Sequence, residues 1–143
     1  MRRKHDPLLR LTPWKVTATF QPVEQLLHRI EVDGTVETAG RQIVVKEDNR
    51  EGYYDVVEAL RGVIQFFEIA ASRYGLPIDM KPMVRFANKL ESGVLIFDAD
   101  LLGVRACISE CKVQALKLRQ SQADDILNTV RISAEMDKVR RAA

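Results

Sequence analysis

The sequence predicts an α+β domain. A small N-terminal antiparallel β-sheet, made of a strand plus a hairpin, is expected to pack on a helical bundle that ends in a long C-terminal helix. Three observations predict it. Residues 14–20 (WKVTATF) alternate apolar and polar. Residues 30–48 (IEVDGTVETAGRQIVVKED) hold two β-rich pieces among turn signals. From residue 53 onward, apolar side chains recur at helical spacing.

In the first stretch Trp14, Val16, Ala18 and Phe20 fall on one face of a strand, and Lys15, Thr17 and Thr19 on the other. The rival reading is a short helix capped by Thr12, with Pro13 at its first position. Pro22 suits the first turn of a following helix, in which Val23, Leu26, Leu27 and Ile30 line one side. A hairpin then joins 31–38 with 41–47. Its turn lies at Ala39-Gly40, and Gly34 is a bulge or bend. The polar run 47–52 reads as a loop.

The clearest helix spans 53–74, where Val56, Leu60, Ile64, Phe67 and Ala71 belong to a broad apolar stripe. Gly75 and Pro77 end it. Asp79 caps a helix over 80–91 whose inward side is Met83, Phe86, Ala87 and Leu90, and Gly93 closes it. Asp98 caps the final helix, 99–139. There Leu101, Val104, Ile108, Cys111, Ala115 and Leu118 recur in alternating steps of three and four, a heptad seam. The pattern fails at Gln122 and Asp125 and resumes at Ile126 and Val130. Either a separate helix starts at a capping box, Ser121 with Asp124, or one helix shifts phase. No Gly or Pro follows Gly103, which favours a continuous or gently kinked helix.

The chain of 143 residues is the size of one domain, with 46% hydrophobic and 29% charged residues. We expect a basic flexible arm over 1–12 and a single domain over 13–143, β-rich over 13–47 and helical over 53–139. The basic start has no apolar core of a signal peptide behind it, and the longest purely apolar run is VLIF, 94–97. These features predict a cytoplasmic protein with no membrane partner. The net charge is only +2, yet both ends are basic and the middle is acidic, a pattern suited to an anionic partner or a second copy.

The candidate chemistry is thin. Cys107 and Cys111 are the only cysteines. A structural zinc site needs four Cys or His ligands, and a redox CxxC needs two intervening residues where this pair has three. Small buried hydrophobes are the reading that remains. Asp98 with Asp100, and Asp124 with Asp125, resemble magnesium-holding pairs, but such acids also favour helix starts. His28 could act as a general base, but no orienting partner can be placed beside it. No nucleophile elbow, phosphate loop or zinc-protease motif occurs. No catalytic residue, cofactor or metal site is expected, and the chain does not read as an enzyme.

Binding roles have more support. The foremost expectation is a small adaptor or regulatory protein working through helix-mediated self-association as a homodimer, or through another protein. The expected interface is Leu101, Val104, Ile108, Cys111, Leu118, Ile126 and Val130. Charge blocks of alternating sign along 102–143 suit antiparallel pairing of two copies. The same seam could instead pack on helix 53–74 within one molecule. The alternative role is nucleic-acid binding by an accessory or transcriptional regulator. It would use Arg2, Arg3, Lys4, Arg10 and Lys15 of the arm with Arg105, Lys112, Lys117 and Arg119 of the last helix.

Overall fold

Residues 14–20 are helical, and this changes the architecture from the first element onward. The computed structural model of the protein describes residues 13–33, 37–39, 42–46 and 53–142. Helix α1 runs Pro13–Asp33. Val16, Phe20, Val23 and Leu27 are all buried and Ile30 is partly so. These positions step by four, three, four and three, which is one face of a helix. The alternation over 14–20 is a fragment of this longer period, and the expected strand is overturned. Thr17 and Thr19 are both exposed. Pro13 opens the helix where its missing N–H is harmless. Pro22 lies inside it. It removes the N–H that would bond the Ala18 carbonyl, yet burial of Val23, Leu26 and Leu27 carries the helix through.

The α+β expectation is corrected accordingly: the chain is a helical bundle. Between the first two helices, β1 (Glu37–Ala39), β2 (Gln42–Lys46) and β3 (Tyr53–Asp55) form a short antiparallel ribbon in that order. Glu37 sits opposite Val44 and Val45 opposite Tyr54. The ribbon's strands are only three to five residues long, and the helices supply the body of the fold. Residues 31–33, expected in the hairpin, are the last turn of α1. The turn positions Gly34 and Gly40, and the loop 47–52, lie outside the described residues.

The remaining body is α2 (Val56–Tyr74), α3 (Lys81–Ser92), α4 (Asp98–Ala115) and α5 (Gln120–Ala142). Helix α2 packs against α1, α3 and α5, while α4 packs against α1 and α3. The main core joins Phe20, Leu60, Phe67, Phe86 and Val104. The Phe20 and Phe67 rings stack with centroids 6.0 Å apart. Gly93 ends α3 at φ 67°, and the following N–H of Val94 reaches back to the Lys89 carbonyl at 3.1 Å.

The expected long final helix is broken. Helix α4 tightens as the Lys117 N–H bonds Gln114 O at 3.0 Å and the Leu118 N–H bonds Ala115 O at 3.1 Å. Helix α5 then starts at a half capping box, in which the Arg119 N–H donates to Gln122 Oε1 at 2.9 Å. The cap is therefore Arg119 with Gln122, not Ser121 with Asp124. The break absorbs the phase shift seen in the sequence. It lets Leu118 and Ile126 bury against Ala70 in a second cluster, apart from the main core.

Candidate functional site

The heptad seam points inward. Leu101, Val104, Ile108 and Cys111 belong to the main core, Leu118 and Ile126 to the second cluster, and Val130 packs half-buried against it. These residues hold the chain to itself, so a partner could reach the first six only by opening the core.

The basic stripe is divided. Arg105 Nε donates to Glu31 Oε1 at 2.7 Å, and Lys112 Nζ to Glu24 Oε1 at 2.7 Å. Both acids belong to α1 and both bases to α4, each pair seven residues from the next, so two rungs clamp antiparallel helices. The hydrogen bond from Arg105 holds the Glu31 carboxyl below the usual carboxylate range. Lys117 and Arg119 are exposed at the α4–α5 turn, away from the clamp. Arg2, Arg3, Lys4 and Arg10 lie outside the described residues. Lys15 lies on α1, with its side chain outside them.

The carboxylate pairs serve the fold. Asp100 accepts from Lys89 Nζ at 2.7 Å and from the Phe97 N–H at 2.8 Å, which secures the start of α4. Asp98, the expected cap, is the first residue of the helix rather than its cap. Asp125 Oδ2 accepts from Tyr74 Oη and Arg73 Nη1, each at 2.6 Å, tying α5 to the end of α2. Asp124 accepts from Gln120 at 2.9 Å. His28 is exposed on α1. Among the described residues, no three or more His, Cys, Asp and Glu side chains converge on a metal position.

What the helices do build is a trough. Helix α2 forms its floor through Gly62 and Phe66. Helix α1 forms one wall through Phe20 and Pro22, and α5 the other through Leu127 and Val130. Its volume is about 650 Å³, and among the described residues its polar side chains are Thr19 and Gln120. Gly62 gives the floor its form. A Cβ there would meet no atom within 4 Å, so the chain's own packing does not require a glycine. Yet glycine inside a helix costs about 1 kcal/mol relative to alanine. On the rim, Leu127 is 54% exposed. Sequence reasoning missed this site because it began a helix at Pro22, and the lining comes from helices far apart in the chain. A glycine on the semi-buried side of a strong helix was the available signal.

A second apolar surface faces away from the bundle. On α4, Leu102 and Val113 are 69% and 55% exposed, and Ala106 and Ser109 lie exposed between them. It is a convex helix face, whereas the trough is concave.

No family model, curated protein or solved structure matches the chain. Among the described residues, no helix is long and apolar enough to cross a membrane.

Proposed function

We propose that this protein is a non-catalytic module that acts by self-association, with the trough of α1, α2 and α5 as the contact surface. One observation carries the reading: an open apolar trough has a glycine on its floor that its own fold does not need. Apolar surface of this kind gains by being covered. A second copy of the chain is the chosen occupant because the exposed Leu127 stands on the rim of the trough it would fill in a partner, so knob and hole lie on one patch, the arrangement a two-fold interface requires.

The lining supports binding over chemistry, since neither Thr19 nor Gln120 titrates near neutral pH. The test is the oligomeric state of the full chain. A dimer is expected, and Leu127→Glu should turn it into a folded monomer because the side chain is mostly exposed in the single molecule. A monomeric wild type at concentrations of tens of micromolar would refute the proposal. So would a dimer indifferent to Leu127→Glu. A dimer broken only by Leu102→Glu would move the interface to α4.

A further inference from the structure

The two cysteines do not sit among hydrocarbon alone. Met80, which ends the link between α2 and α3, places its Sδ 3.5 Å from Cys111 Sγ and 4.0 Å from Cys107 Sγ. Cys107 and Cys111 stand four residues apart on α4, on adjacent turns of one face. Three sulfur atoms from two elements therefore converge at one point between α3 and α4. All three side chains are buried and both cysteines are free.

We propose that Cys107, Cys111 and Met80 form a three-sulfur site for a cuprous ion. Spacing is the first argument. A trigonal ion with metal–sulfur bonds of about 2.3 Å sets its ligands about 4 Å apart, close to the separations found. Donor type is the second. Thiolate and thioether together select soft Cu(I), and the absence of a third Cys or His leaves the tetrahedral zinc set incomplete. Charge is the third. Two thiolates and one Cu(I) carry a net negative charge, which needs a positive environment in a buried place. The first turn of α3 supplies it. Met80 is the N-cap of that helix, so the helix's positive end lies beside the sulfur atoms.

Copper binding displaces both thiol protons, because the thiolate is the metal ligand. Two protons leave to solvent, two copper–thiolate bonds and one copper–thioether bond form, and the copper remains Cu(I). The Cys107 S–H donates to the carbonyl oxygen of Asp79 at 3.5 Å, a hydrogen bond that copper binding breaks.

The experiment is anaerobic titration of the full chain with Cu(I) against a coloured Cu(I) chelator. Retention of one equivalent is expected, with a thiolate-to-copper absorption band in the ultraviolet. X-ray absorption should show a shell of three sulfurs, and bound copper should protect both cysteines from thiol reagents. Cys107→Ala and Cys111→Ala should each abolish the band, and Met80→Leu should reduce the shell to two sulfurs. Failure of the wild type to retain copper would overturn the proposal. So would a shell containing nitrogen or oxygen, or copper bound while both cysteines still label. These wild-type measurements decide the matter even if an alanine variant fails to fold. They are also independent of the trough, so either proposal can fail alone.

Discussion

Gln114 shows how one side chain can be out of step with its surroundings. It is 5% exposed, its Nε2 donates to Glu110 at 2.8 Å, and its Oε1 is buried without a partner. An unsatisfied buried acceptor costs about 1–3 kcal/mol. Gln114→Met keeps the length of the side chain and removes the orphan oxygen. It should stabilise the fold by about 1 kcal/mol, read as a rise in thermal midpoint. Asp100 works in the opposite sense. The Lys89 hydrogen bond, followed by that from the Phe97 N–H, holds its carboxyl below the ordinary range. A lowered folded-state value means that its stabilising contribution is complete above about pH 4 and is lost as the pH falls below that. In urea titrations Asp100→Asn should flatten the loss of stability between about pH 4 and pH 2, while lowering stability at neutral pH. A parallel acid limb in the variant would assign the slope to other groups.

At the scale of elements, α1 was the hardest to read. The alternation of its residues 14–20 satisfies a strand as well as a helix, and Pro22 looks like a boundary. Only the run from Val16 to Ile30, taken whole, selects the helix, and the burial of that run decides it. Burial depends on α2 and α4 and is not a local property. The break near residue 118 was half legible. The phase shift was visible, but the absence of Gly and Pro favoured continuity, and a polar cap from Gln122 proved sufficient to restart the helix. The ends of α2 and α3 were legible because strong periodicity coincides with end signals at Gly75 and Gly93, but the start of α2 was placed three residues early, since Tyr53–Asp55 is β3. Pro22 makes a prediction of its own. Pro22→Ala restores the N–H for the Ala18 carbonyl and removes the clash inside α1. It should stabilise the protein by about 2 kcal/mol in chemical denaturation, since the interior-proline penalty of about 3 kcal/mol outweighs the unfolded-chain entropy given up. No gain would mean that the α1 backbone already satisfies that carbonyl another way.

For the whole molecule, the sequence shows which residues are apolar but not which helix they will meet. The inward seam illustrates this. Its heptad spacing suits a partner chain and an internal neighbour equally, and the chain places it inside, against α1 and α3. Charges behave alike: Arg105 and Lys112 read as a nucleic-acid stripe until Glu31 and Glu24 appear opposite them across α1. The trough was legible in no single segment, because its lining comes from α1, α2 and α5, with Ala115 at the end of α4. The cysteines stayed ambiguous for the same reason. Met80 and the start of α3, which turn two packing residues into a three-sulfur cluster, lie about thirty positions away.

The measurement that tests the central claim most directly is the molar mass of the full chain by sedimentation equilibrium, on four proteins: wild type, Gly62→Ala, Gly62→Phe and Leu127→Glu. Gly62→Ala should be more stable by up to about 1 kcal/mol and still dimeric, because a methyl group enters empty space. Gly62→Phe, filling the trough, and Leu127→Glu, charging its rim, should both be folded monomers. Dimers of equal strength in all four, or a wild type that is monomeric, would contradict the account.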